Sequence, residues 1–120
     1  MFYSDYDYSG YAIRYGIMQQ DGTRVLKDAF ASSAGQTVPL VYNYYKVGGS
    51  HIPDMSNENI AGYAYLKNRE DGVYAYCTIY DEHVGLEKHI QSLTVFVRIT
   101  ERRERKILKG DILAVKIISK

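Results

Sequence analysis

Two runs of alternating residues, 60–66 and 73–80, are separated by a short polar stretch ending in Asp71-Gly72. Side chains of a strand point to opposite faces in turn, so this period of two predicts a β-hairpin with its turn at Asp71-Gly72. Ile60, Gly62, Ala64 and Leu66 fall on one face of the first strand. Val73, Ala75, Cys77 and Ile79 fall on one face of the second. The opposite faces carry Tyr63 and Tyr65, then Tyr74, Tyr76 and Tyr80. One side of the hairpin is therefore aliphatic and made for a core. The other is a field of tyrosine, whose ring is apolar and whose tip is polar, which suits a docking surface.

The rest of the chain repeats the strand pattern. Tyr11, Ile13, Tyr15 and Ile17 alternate, Asp21-Gly22 marks a turn, and residues 23–26 can return as a short partner. Residues 27–33 suit one helical turn, and residues 38–45 are rich in β-branched and aromatic side chains. Pro39 predicts an edge or the start of a strand there. Residues 46–59, with Gly48, Gly49 and Pro53, read as the longest loop. Residues 81–91 predict a short helix, with Leu86 and Ile90 four apart. Leu93, Val95, Val97 and Ile99 alternate again. After a charged turn at 101–106, Leu113, Val115 and Ile117 form the inner side of a last strand. The expectation is a mostly β fold, a compact barrel of about seven strands with one or two short helices. Residues 1–10, polar and rich in Tyr and Asp, predict an N-terminal arm, and residues 11–120 a single domain.

Charge and cysteine narrow the chemistry. Fifteen Lys and Arg against fourteen Asp and Glu give a net charge of +1, so the chain as a whole has no field to attract a polyanion. Arg102, Arg103, Arg105, Lys106 and Lys109 cluster at one turn, diluted by Glu101 and Glu104; this reads first as a solvated hairpin end and second as a weak point of contact for DNA through Arg102, Arg103 and Arg105. The single cysteine, Cys77, excludes a disulfide framework. No secretory leader and no membrane span is expected, because residues 1–10 lack a cationic lead and no apolar run nears roughly 18 residues. His51, His83, His89 and Cys77 lack zinc-finger spacing, so neither a metal nor another cofactor is expected.

Several short blocks, in order, carry a family likeness: Gly10-Tyr11-Ala12, Asp21-Gly22, Val25-Leu26, Ala29-Phe30 and Val38-Pro39-Leu40-Val41-Tyr42-Asn43. Ile60-Ala61-Gly62-Tyr63-Ala64, Asp71-Gly72-Val73-Tyr74-Ala75 and Asp111-Ile112-Leu113-Ala114-Val115 follow. From about Gly10 to Ile118 the chain resembles the prohead (capsid maturation) proteases of tailed phages, which share their fold with herpesvirus assembly proteases. The resemblance implies a compact β-barrel with flanking helices and a Ser–His catalytic pair. It also implies that the pair is degenerate here. The family histidine follows the 38–43 block, where this chain has Tyr44. The family serine stands in a Ser-x-Gly-Phe-like strand, where this chain has Thr94-Val95-Phe96-Val97. A phenol is a poor general base near neutral pH, and losing both members of a cooperating pair removes most catalysis. The expected function is therefore that of a non-catalytic structural virion protein. It would be made in the bacterial host cytoplasm and retained in the capsid, binding the major capsid protein or copies of itself through Tyr63, Tyr65, Tyr74 and Tyr76. An active serine/threonine maturation protease, with Thr94 or Ser92 attacking and His51 or His89 assisting, is the catalytic alternative. An unrelated small β-barrel binding module is the third.

Overall fold

The computed structural model describes residues 6–19 and 21–120, with Tyr45 described by its backbone alone. Among the described residues, nine strands fall in two sheets: β1 (Tyr8–Arg14), β2 (Arg24–Val25), β3 (Thr37–Val41), β4 (Tyr44–Val47), β5 (Ser50–Pro53), β6 (Ile60–Arg69), β7 (Gly72–Ile79), β8 (Ile90–Arg103) and β9 (Lys106–Ser119). β4 and β5 form a separate hairpin, and the other seven form one curled sheet. Its backbone order runs β1-β7-β6-β3-β9, with β8 along one edge of β9 and the short β2 sharing the other edge with β3. The pairs β2–β9 and β3–β9 are parallel and the rest are antiparallel. The sheet curls until β1 lies beside β8, but no ladder joins these two ends. The fold is thus mostly β, as the alternation predicts, but an open half-barrel rather than a closed barrel.

The core lies inside the curl, where Leu40, Ala64, Leu66, Val73, Ala75, Cys77 and Val115 are completely buried together with Phe30. The aliphatic face of the β6–β7 hairpin is therefore the core face except at Ile60, because a bulge at Ala61 puts Ala61 in the core and turns Ile60 to the other side. A smaller cluster of Val41, Phe96 and Ala114, flanked by Ile60, forms on the opposite side of the sheet.

Several local expectations shift. β1 begins at Tyr8, within the segment read as an arm, and Asp7 already bonds β7 through its amide and its carboxylate; residues 1–5 of that arm lie outside the described residues. A bulge between Tyr11 and Ile13 turns Ala12 inward, so the predicted alternation ends there and Ile17 is exposed. β2 folds back after the Asp21-Gly22 turn onto residues 16–19, through an antiparallel bridge of Met18 with Arg24 and the Gly16 amide donating to the Val25 carbonyl, and its other edge pairs with β9. Pro39 sits in an interior strand, which is tolerated because β9 joins β3 only from Leu40 onward. The loop expected over 46–59 holds the β4–β5 hairpin, whose two-residue turn is Gly48-Gly49. The helix expected over 81–91 is two 3-10 turns, Asp81–His83 and Leu86–His89, split by Gly85 in the left-handed region.

The β6–β7 turn is Glu70-Asp71, one residue earlier than expected, with Arg69 opposite Gly72. Gly72 serves packing instead: a Cβ there would lie 2.3 Å from the Ile13 carbonyl oxygen of β1. In β9, a second bulge leaves Leu113 unpaired between Ala114 and Ile112, so Leu113 is 42% exposed while Ile112 joins the core.

Candidate functional site

The positions that stand for the family's catalytic pair come together. Tyr44 and His51 lie on the β4–β5 hairpin, where Lys46 is opposite His51 and Tyr44 opposite Pro53. Residues two apart share a face, so Tyr44 and His51 are diagonal neighbours on one side of the hairpin, with ring centroids 4.7 Å apart. That side covers a stretch of β8 and β9. Thr94 is opposite Lys116, and Phe96 opposite Ala114. Tyr44, His51, Thr94, Phe96 and Lys116, with Val95 and Val97, line one open cavity of about 370 Å³. The Tyr44 ring lies 6.2 Å from that of Phe96, and Lys116 Nζ lies 5.9 Å from the Tyr44 centroid. Lys116 Nζ also donates to the Ile117 carbonyl at 3.3 Å. The cavity thus joins a phenol, an imidazole, a secondary alcohol and an ammonium group on an aromatic floor.

The other candidates lie elsewhere. Ser92 faces a second groove, of about 490 Å³, which runs along the gap between β1 and β8. His89 ends the second 3-10 turn, and its carbonyl accepts the Lys120 amide. His83 is engaged by Tyr42, with Nδ1 2.8 Å from the phenol oxygen. Among the described residues no group of three His, Cys, Asp or Glu is placed to hold a metal ion. No helix among them is long and apolar enough to cross a membrane.

The tyrosine face divides in two. Tyr63, Tyr65 and Tyr74 are half-buried, and their faces look outward. Tyr76 is only 4% exposed, so it cannot lie bare on a docking surface as its place in the alternation suggests. Its hydroxyl accepts from Arg69 Nη2 at 2.8 Å, and its ring packs at 5.1 Å from Tyr6 and 5.2 Å from Tyr74. Tyr74 meets Tyr11 edge-on at 5.0 Å and lies under the Arg69 guanidinium at 3.9 Å. Tyr11 in turn donates to Asp71 at 2.7 Å and carries Arg14 over its ring. Tyr6, Tyr11, Arg14 and Arg69 were absent from the sequence-based surface. Only pairing of β1 with β7 brings the first three to it, across more than sixty residues of chain.

Arg102 and Arg103 end β8, and Arg105 lies in the turn to β9; all three are exposed. Arg105 Nη1 donates to the Asp21 carbonyl, which fixes this guanidinium over Gly22. No family model, no curated protein and no solved structure matches the chain.

Proposed function

We propose that this chain is a non-catalytic structural protein of a tailed-phage particle, a degenerate prohead-protease-like domain that binds the capsid shell. The observation that carries the reading is the meeting of Tyr44 and Thr94. They are fifty residues apart in sequence, and the family resemblance alone singles them out as the histidine and serine positions. Yet they line the same cavity. The residues around them suit binding better than hydrolysis. Tyr44 is a poor base, and Phe96 fills space where a substrate backbone would lie. Docking would use Tyr63, Tyr65 and Tyr74 against the major capsid protein or another copy of this chain. Each aromatic ring buried there contributes about 1–3 kcal/mol.

The test is the ratio of this chain to the major capsid protein in purified mature particles, by quantitative mass spectrometry. A high, fixed ratio of intact chain is expected. Absence from particles that contain processed capsid protein would overturn the structural role. Changing Tyr63, Tyr65 and Tyr74 together to Ser is expected to abolish incorporation while the protein still folds, whereas Tyr76→Ser acts on the fold.

One observation favours a second reading, a maturation protease: His51 lines the same cavity as Thr94. Cleavage of capsid protein by the purified chain, lost in Thr94→Val and in His51→Gln, would establish it.

A further inference from the structure

A row of like charges crosses three strands at the far end of the long β8–β9 hairpin. Arg103 of β8 is directly opposite Lys106 of β9, and Lys106 is directly beside Arg24 of β2. Partners in a ladder share a face, so the three cationic side chains stand side by side, about 5 Å apart and spanning roughly 10 Å. All three are exposed, and none forms an ion pair among the described residues. Like charges directly opposite in a sheet destabilise it, so the fold alone gives no reason for this row.

The nearby carboxylates do not neutralise it. Asp21 stays ionised, its Oδ1 accepting from the Thr23 amide at 2.9 Å and the Thr23 hydroxyl at 2.6 Å, and the cation that its charge meets is Arg102, outside the row. Glu101 is directly opposite Lys109, which matches that pair to each other. Glu104 occupies the turn itself, held in the left-handed region at φ 55°. The tethered Arg105 adds a further guanidinium in the turn next to the row, whereas Arg102, opposite the core residue Ile107, falls on the other face of the ladder. Although the whole chain carries only +1, this end gathers Arg24, Arg102, Arg103, Arg105, Lys106 and Lys109 against three carboxylates.

We infer that the Arg24–Lys106–Arg103 row is a binding site for the phosphate backbone of nucleic acid. The ligand is a polymer rather than a small phosphate, because residues 101–106 are all exposed and offer a protruding tip. Duplex DNA carries a charge every 3.4 Å of axis on each strand, so a 10 Å row covers about three phosphates. A two-stranded ribbon also has the width to approach the major groove. The contact inferred is to phosphate oxygens, which position a protein on the duplex and carry no sequence information. The site lies far from Tyr63 and Tyr65 along the sheet and is independent of the capsid reading.

The experiment is fluorescence anisotropy of a labelled 20-base-pair duplex of arbitrary sequence with the full chain, titrated from 20 to 200 mM salt. Binding is expected at low salt, with log affinity falling against log salt at a slope near −3. The triple variant Arg24→Gln/Lys106→Gln/Arg103→Gln should lose at least tenfold in affinity at 20 mM salt and flatten the slope toward zero. Its melting temperature should not fall, because like-charge repulsion is removed. The single variants Arg103→Gln and Lys106→Gln should each lower the slope by about one, which keeps the test informative if the triple variant misfolds. Arg98→Gln, which breaks an existing pair with Asp111, should leave DNA affinity unchanged. No binding by the wild type at 20 mM salt would overturn the inference. So would an unchanged slope in the variants, or equal binding of polyglutamate, which would mark a site for acidic protein instead.

Discussion

At the scale of single residues, two glycines in strands predict opposite outcomes. A Cβ on Gly62 would lie 1.9 Å from the Thr78 carbonyl oxygen and 3.0 Å from Ile79 Cα, both backbone atoms of the adjacent strand. Neither can turn aside, so Gly62→Ala must open the β6–β7 ladder and should cost about 3 kcal/mol in urea unfolding. A Cβ on Gly10 would meet only the Tyr8 ring at an ordinary 3.5 Å. Gly10→Ala should therefore be neutral or stabilise by about 0.5 kcal/mol, because the unfolded chain loses freedom. Equal losses for both would mean that close approach does not set the requirement at Gly62. Cys77 carries a prediction of another kind. Burial, with a smaller contribution from Asp7, pushes its thiol from 9.0 up to about 12. The folded state then holds its proton more tightly than the unfolded state, so stability is full below pH 9 and falls as pH rises from 9 to 12. The loss from this group approaches about 4 kcal/mol at the top of that range. Tyr15, likewise pushed up to about 12 by burial, joins the decline above pH 10. Melting temperatures between pH 8 and 10 should fall for the wild type and stay level for Cys77→Ala; parallel curves would remove the thiol from the account.

At the scale of elements, legibility followed burial. The β6–β7 hairpin was readable because one face is sealed in the core, and sealing one face writes a period of two into the sequence. The β4–β5 hairpin was not. Among the described side chains of its strands, Tyr44–Val47 and Ser50–Pro53, none is sealed from solvent, so no alternation is enforced there and the stretch reads as a loop. Its one local signal is Gly48-Gly49, with φ of 56° and 89°, the left-handed pair that a tight hairpin turn requires. Bulges were equally silent, since an extra residue such as Leu113 changes faces without any change in composition. The candidate cavity inherits this blindness: Tyr44 and Thr94 were singled out by family resemblance, but only the hairpin's fold-over brings Tyr44 and His51 to Thr94 and its ladder partner Lys116. Gly48→Val should test the hairpin as a unit. A β-branched residue at that φ costs about 1–2 kcal/mol. Amide exchange within Tyr44–Pro53 should then quicken about tenfold or more, while the Leu66 and Val73 amides keep their protection. Matching acceleration in both places would show one cooperative unit rather than two sheets.

At the scale of the whole molecule, the topology turns on β9. It borders β8 along one edge and both β2 and β3 along the other, so it alone ties the two ends of the sequence into one sheet. Val41 pairs with Lys116 and Arg24 with Lys106, across 75 and 82 residues of chain. No local pattern announces such parallel pairs. The sequence makes each strand legible and leaves their order unwritten, which is why a closed barrel was expected and an open curl is found. The same arrangement fixes how the molecule must fold. β1, β7, β6 and β3 form a continuous antiparallel run, but its inner face is closed by Ile112, Val115 and Ile117 of β9 and by Leu93 of β8. Without β9, β8 has no ladder partner and Leu40, Leu66 and Val73 lose their cover. A chain stopped after Arg105 should therefore show no cooperative thermal transition by circular dichroism and should bind a dye specific for exposed apolar surface. Adding a peptide of residues 106–120 in trans should restore a transition whose midpoint rises with peptide concentration, since binding to the folded state alone stabilises by mass action. A cooperative transition in the shortened chain by itself would instead place the independent folding unit in the β1-β7-β6-β3 run. β9 would then be reduced to a late addition that carries the charged tip.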